Sequence, residues 1–254
     1  MVIALLTDFG DFYPGVMKGV IRKISDAEIV DITHSVSPQN VPEGAFLLYH
    51  SYRYFPEGTI FVAVVDPGVG GKRRAIAVRT SSYWFVGPDN GLIYPAAEED
   101  RIQEVFSIKK SVSEISGSLS TTFHGRDLFA PAAALIQEGR IDERYFDRSE
   151  DSIVKLELFD LEIQENEIKC LVLHIDRFGN VVTNIRKDEL EKLNPREFLF
   201  GDVRMPLVER YEDAEIGEPL SIVGSFDTLE LSVREGNFSE KYNVRHGRLK
   251  LGWS

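Results

Sequence analysis

The 254-residue chain has a single cysteine, Cys170, so no disulfide framework or multi-cysteine metal centre can form within it. Basic residues are also scarce: 29 Lys and Arg against 41 Asp and Glu leave a formal net charge of −12. A surface of that sign repels polyanions, which excludes nucleic acid and anionic membrane surfaces as the expected partners. Apolar residues make up 43% of the chain, enough for a substantial core. No apolar run approaches the ~20 residues that span a bilayer. Nor is there a basic leader: Met1-Val2-Ile3-Ala4-Leu5-Leu6 runs straight into Thr7-Asp8 and reads as a first strand, not a signal peptide. These absences lead to the expectation of a cytoplasmic protein that acts on a small molecule.

The first half alternates strand and helix signals. Residues 2–6 form a continuous apolar strand. Val16, Met17, Val20, Ile21 and Ile24 then share one helical face, and Glu28–Thr33 is a second strand. Asn40-Val41-Pro42-Glu43 has the form of a capped helix start, with the helix expected to reach about residue 54. The nearly unbroken apolar run at 59–65 reads as a strand buried on both faces. This β-α-β-α-β order predicts a parallel sheet covered by helices. Residues 75–80 and 83–87 pair as a hairpin, so the sheet is expected to be mixed; Glu104–Ile108 is a further strand and 128–136 a helix. The charged stretch 139–151 reads as a boundary. Beyond it lie strands at 153–158, 162–164, 168–175, 198–200, 220–223, 229–233 and 249–251. The prediction is an α/β domain over 1–150, with a mixed, mostly parallel sheet, and a smaller all-β, barrel-like domain over 151–254.

Chemistry is concentrated where strands end, the edge at which ligands of open α/β sheets collect. The run at 59–65 stops at Asp66-Pro67-Gly68-Val69-Gly70-Gly71-Lys72-Arg73-Arg74. These glycines are not a P-loop, because Gly71-Lys72 is followed by Arg73 and Asp66 stands where the first glycine belongs. A strand follows, not a helix, so they are not a dinucleotide fingerprint either. What remains is a tight turn bringing Asp66 near Arg73 or Arg74, either as a surface ion pair or as part of a site. Asp8, in Thr7-Asp8-Phe9-Gly10, repeats that placement after the first strand; its likeness to a kinase magnesium motif is accidental, with no catalytic loop upstream. Asp31 and His34 read as capping or turn residues, not metal ligands. Pro88-Asp89-Asn90-Gly91-Leu92 is a dense turn signal. His124, just before a helix, sits where the dipole disfavours imidazolium, so a neutral ring can accept a proton or orient water. A ring merely packed at the helix start fits as well. In Asp176-Arg177-Phe178-Gly179-Asn180 a polar pair flanks an aromatic ring, which suits a heterocycle stacked on the ring and read by the amide. An ordinary Gly-Asn turn fits this segment equally.

These segments, with Val30-Asp31-Ile32-Thr33-His34-Ser35 and Thr122-Phe123-His124-Gly125-Arg126-Asp127, recur in order over almost the whole chain. Together they resemble the S-adenosylmethionine hydroxide adenosyltransferase family, whose halogenating relatives include the fluorinase and chlorinase. The resemblance implies hydrolysis of S-adenosylmethionine to adenosine and L-methionine by a homotrimer with sites between neighbouring subunits. It assigns Asp66, Arg73 and His124 to a catalytic trio and Asp8 to the ribose. It also assigns Asp176 to the methionine amine, Phe178 and Asn180 to adenine, and Ser225 to the methionine carboxylate. Halogenating relatives carry Tyr at the position matching Asp66 and Arg at that matching Phe226. No metal and no cofactor are expected, because S-adenosylmethionine is itself the substrate and its sulfonium leaves as a neutral thioether. Whether Asp66 or His124 takes the proton stays open. So do three other readings: a non-catalytic nucleoside or S-adenosylmethionine-binding regulator, a halide-using adenosyltransferase, and a hydrolase of another nucleoside derivative.

Overall fold

A computed structural model describes residues 2–254, so Met1 of the expected first strand lies outside the described residues. The chain divides into two compact units between Leu156 and Glu157.

The first unit is built on a seven-stranded sheet. Its strands are β1 (Val2–Thr7), β2 (Glu28–Thr33), β3 (Ile60–Val64), β4 (Ala75–Arg79), β5 (Trp84–Pro88), β6 (Glu104–Ile108) and β7 (Phe146–Ser149), in the order β2-β1-β3-β5-β4-β6-β7. β2, β1, β3 and β5 run parallel; β4, β6 and β7 are antiparallel to their neighbours. The helices Phe12–Arg22 and Val41–Ser51 make the two crossovers. Asn40 caps the second, its Oδ1 accepting from the Glu43 amide at 3.3 Å, so an otherwise unpaired first-turn donor is satisfied. Ile3, Leu5, Val62 and Val64 pack with Met17, Ile21 and the helix Ala130–Gln137 into one core. Thr7 lies opposite Val64 in the β1–β3 register, so Asp8 and Asp66 both emerge at the same edge of this sheet.

The second unit is a closed seven-stranded barrel. β9 (Glu167–Ile175), β10 (Val181–Arg186), β11 (Glu197–Phe200), β12 (Val203–Val208), β13 (Pro219–Val223), β14 (Thr228–Val233) and β15 (Gly247–Trp253) run in the order β10-β14-β13-β12-β11-β15-β9. A β9–β10 pairing closes the ring, and β8 (Glu162–Gln164) is an extra strand on β9. Its interior holds Ile168, Val172, Ile185, Phe198, Met205, Leu229, Leu231 and Leu251.

Several elements depart from the expectations, each for a physical reason. Residues 153–158 form no strand: Ile153 and Leu158 are buried, but the Val154 amide donates to Asp89 Oδ1 at 2.7 Å, not to a ladder. The charged stretch 139–151 contains β7, whose Phe146 is buried although Asp147 and Arg148 are exposed. β10 escapes an apolar reading because Thr183 and Asn184 sit inside it, and both are satisfied there. Thr183 Oγ1 donates to the Leu229 carbonyl at 2.9 Å, and Asn184 Nδ2 to the Asp160 carbonyl at 2.8 Å. β12 carries Pro206, which usually demotes a strand. Among the described residues, no helix is long and apolar enough to cross a membrane.

Candidate active site

Asp66 stands two residues past the end of β3. The Asn90 side-chain amide fastens this strand end, Nδ2 donating to the Val65 carbonyl at 2.8 Å, so the dense turn at 88–92 braces the segment that carries Asp66. Arg73 Nε donates to both Asp66 carboxylate oxygens at 3.1 and 3.0 Å, and Nη2 donates to Oδ2 as well. The side chains are only 4% and 11% exposed, so this is a buried fork-to-carboxylate pair and not a surface ion pair. The adjacent Arg74 turns elsewhere, its Nε donating to Asp89 Oδ2 at 2.8 Å and Nη2 to the Ser152 carbonyl at 2.6 Å.

Glycine is needed in this turn for a specific reason. Gly70 has φ +74, and a Cβ there would lie 2.2 Å from the Thr121 carbonyl oxygen. The turn can therefore press against the segment 121–124 only without a side chain. That segment delivers His124, which stands just before a five-residue π-helical turn, Gly125–Phe129, that leads into Ala130–Gln137. Arg73 Nη2 lies 2.7 Å from His124 Nδ1. A guanidinium has no acceptor, so Nδ1 must accept and the neutral ring carries its proton on Nε2. The Phe129 ring centroid lies 5.3 Å from the Arg73 guanidinium carbon and supports it from the same helix. Burial first, and the Arg73 charge second, hold His124 below the usual imidazole range, while Asp66 opposes them. The expected neutral ring therefore arises from desolvation and a neighbouring cation.

Asp8 makes no contact of this kind: its Oδ2 accepts from the Gln39 amide at 2.8 Å. Its turn is held by the buried Thr7, whose Oγ1 is 2.9 Å from His34 Nδ1 and accepts from the Phe9 amide at 3.2 Å. His34 Nε2 is 3.0 Å from Asp31 Oδ1, so these two residues brace the end of β1. In the second unit Asp176 closes its own turn, Oδ1 accepting from the Phe178 and Asn180 amides at 2.8 and 2.9 Å. Asn180 Nδ2 donates to Asp176 Oδ2 at 2.9 Å. The two polar residues thus satisfy one another, and the turn they close leaves Phe178 74% exposed. Asp176, Phe178, Asn180 and Ser225 all line one cavity of about 980 Å³.

Models of the SAM hydroxide adenosyltransferase N-terminal and C-terminal domains match residues 3–144 and 170–249. The chain belongs to the SAM hydroxide adenosyltransferase family. It is similar to proteins named (R)-S-adenosyl-L-methionine hydrolase from Methanocaldococcus jannaschii, at 36% identity over 96% of this chain and 92% of the relative. A hydrolase of the same name from Thermus thermophilus is 32% identical over 96% of each chain. A fluorinase from Nocardia brasiliensis is 30% identical over 99% of this chain and 97% of its own. Among solved structures, an uncharacterized conserved protein from Thermotoga maritima superposes with a TM-score of 0.87 at 36% identity, covering 99% of this chain and 100% of that one.

The structure of this adenosyltransferase-family chain thus gathers the expected residues into two groups, Asp66 with Arg73 and His124, and the four around the second unit's cavity. Asp8 stands at the sheet edge shared with Asp66. Sequence reasoning missed Tyr211 and Glu230, which also line the cavity. Neither carries a signal: Glu230 alternates with Leu229 and Leu231, as any solvent-facing strand residue does.

Proposed function

We propose that this chain hydrolyses S-adenosyl-L-methionine to adenosine and L-methionine, with water attacking the ribose 5′ carbon. The observation that carries this reading is the buried Asp66–Arg73 pair with His124 beside it, in a chain that aligns over nearly its full length with hydrolases of that name. In the step itself the C5′–O bond forms as the C5′–S bond breaks. The bonding pair goes to the sulfonium, which leaves as the neutral thioether of methionine. One water proton must be removed, and no general acid is needed for the leaving group.

The tautomer of His124 divides the labour. With Nδ1 accepting from Arg73, the ring offers an N–H and no lone pair, so it orients the nucleophile as a donor. Asp66 is then the proton acceptor, positioned and partly neutralised by Arg73. On this reading Asp176 and Ser225 hold the amino-acid end, Phe178 and Asn180 the adenine, and Asp8 the ribose. The reaction requires neither metal nor cofactor. A cytoplasmic homotrimer completed by neighbouring copies is part of the proposal. It is supported by the exposed Phe12 and Tyr13, which would gain cover in an assembly; Tyr13 stacks edge-on with Phe12, Phe9 and Phe123. A monomer by light scattering at micromolar concentration, still fully active, overturns the trimer.

The reaction is tested by incubating purified protein with each sulfonium epimer of S-adenosyl-L-methionine, since the relatives' names specify R. Adenosine and methionine should accumulate in equal amounts, and oxygen-18 water should place its label in the 5′ hydroxyl. Release of adenine, or adenosine without label, refutes attack at C5′.

A further inference from the structure

One buried carboxylate lies beside the trio and outside it. Asp127 follows His124 by three residues, within the π-helical turn Gly125–Phe129, a rare form that gathers at functional sites. It is 0% exposed, so its carboxylate is not offered to a substrate. Both oxygens are bonded within the protein instead. The Ser120 amide donates to Oδ2 at 2.7 Å, Arg126 Nε donates to Oδ1 at 2.6 Å and Arg126 Nη2 to Oδ2 at 2.9 Å. Ser116 Oγ lies 3.4 Å from Oδ1. Arg126 extends the same clasp: its Nη2 also donates to Ser118 Oγ at 2.9 Å, and its guanidinium carbon stands 5.3 Å from the Phe123 ring centroid.

The clasped segment has little else to hold it. Residues 117–123, between the short helix Ser113–Ser116 and His124, form neither helix nor strand. Among the described residues, no amide from 118 to 122 donates to a backbone carbonyl; the Ser120 amide goes to Asp127 and the Thr122 amide to Ser120 Oγ at 3.1 Å. Yet this segment carries the Thr121 carbonyl that fills the space beside Gly70, in the turn that presents Arg73. A buried carboxylate costs desolvation that packing alone would not require, and what it supplies here is a fixed register between loop and helix.

We infer that Asp127 is a positioning residue for the trio, clasping residues 116–120 to the start of the helix so that the Thr121 carbonyl stays seated against Gly70 and His124 stays within reach of Arg73. Its effect on turnover rests on the reading of this chain as an S-adenosyl-L-methionine hydrolase. Loss of the Asp127 charge and loss of the clasp would move His124 in opposite directions. Burial and then Arg73 hold the ring low, Asp66 and Asp127 raise it, and Lys110 lowers it. Removing the Asp127 charge alone would therefore push the ring lower still. Releasing the clasp would let water reach the ring and part it from Arg73, which moves it up.

The test compares wild type, Asp127→Ala, Asp127→Asn and Ile136→Val, the last a buried core residue of the following helix. Asp127→Ala should lose about a hundredfold in kcat with a much smaller change in KM, the scale of a misplaced reacting group. Asp127→Asn keeps an oxygen for the Ser120 amide and should lose less. Ile136→Val should melt earlier with kcat unchanged. A loss of kcat there that matches Asp127→Ala would mean that stability alone is being read, and would overturn the inference. In NMR titration the His124 ring should move up toward ~6.5 in Asp127→Ala. A ring that moves down or stays where it is overturns the clasp, and so does near-native kcat. Should Asp127→Ala fail to fold, Asp127→Asn decides through the same split between kcat and KM. If wild type forms no adenosine, the hydrolase reading fails; the titration of His124, which needs no turnover, then decides the clasp by itself.

Discussion

Replacing Asp66 with Asn removes one negative charge and almost no volume, so it isolates the electrostatics of the trio. In the native protein the buried Asp66 carboxylate and Arg73 guanidinium are bonded through both Nε and Nη2, and His124 is neutral. A chloride ~4 Å from an isolated carboxylate would be repelled by roughly 4 kcal/mol at an effective dielectric of 20. Arg73 offsets part of this. In Asp66→Asn the repulsion vanishes while the Arg73 attraction and the His124 N–H remain, so chloride affinity should rise by up to about three decades. The proton acceptor is lost at the same time, and hydrolysis should fall by roughly 10² to 10⁴. Leaving a buried guanidinium without its counter-charge costs about 3–5 kcal/mol of stability, less whatever the Asn oxygen recovers as an acceptor. The assay follows adenosine and 5′-chloro-5′-deoxyadenosine by chromatography over a chloride series, with thermal unfolding at each concentration. Wild type should give adenosine alone, even in molar chloride. The variant should lose adenosine formation and gain melting temperature as chloride rises. Near-native adenosine formation by the folded variant would remove Asp66 from the proton's path. The chlorinated nucleoside as a major wild-type product would show that Arg73 dominates the field.

Other outcomes follow from the same geometry. Because burial and Arg73 lower the His124 pKa, the acid limb of kcat/KM should lie below the usual imidazole value of about 6.5, and NMR titration should place the ring there. The unfolded chain takes up this proton first, so His124 costs stability as pH falls through ~6.5 toward its folded value and costs none above it. Phe178→Ala removes an exposed ring, so it should leave the melting temperature unchanged; it should weaken adenosine about ten- to a hundredfold, from ~1–3 kcal/mol of base stacking measured by calorimetry. Gly70→Ala forces a side chain into a left-handed position against the Thr121 carbonyl; kcat should drop by roughly a hundredfold with a much smaller change in KM, the mark of misplacement rather than lost binding.

What could be read in the sequence was whatever is local. The apolar runs of β1 and β3 and the capped helix at Asn40 depend on residues within a few positions of one another, and the structure places them as expected. The ends of those strands marked Asp8 and Asp66 by the same logic. Segments stabilised from a distance were misread. Residues 153–158 owe their burial to packing and their Val154 amide bond to Asp89, 65 positions earlier, so an apolar pattern there signalled a strand that does not form. β10 failed the opposite way, because Thr183 and Asn184 look like surface residues until their carbonyl partners at Leu229 and Asp160 are known.

The trio shows the same limit at the level of chemistry. Asp66, Arg73 and His124 can each be named from motifs, but a motif does not say which arginine turns inward. Arg73 and Arg74 are chemically identical and adjacent, and their separation rests on Asp89 drawing Arg74 away. Nor does it say which nitrogen of His124 is occupied. Once Arg73 is known to donate to Nδ1, the imidazole loses its lone pair to a group that can never accept, and the proposed hydrolysis turns to Asp66 as its proton acceptor. A single guanidinium thus fixes the carboxylate and the tautomer together. Substitutions at Asp66 and His124 should therefore be strongly non-additive, the double variant falling little below the worse single one, because in the proposed reaction both side chains act on the same water from one shared arginine.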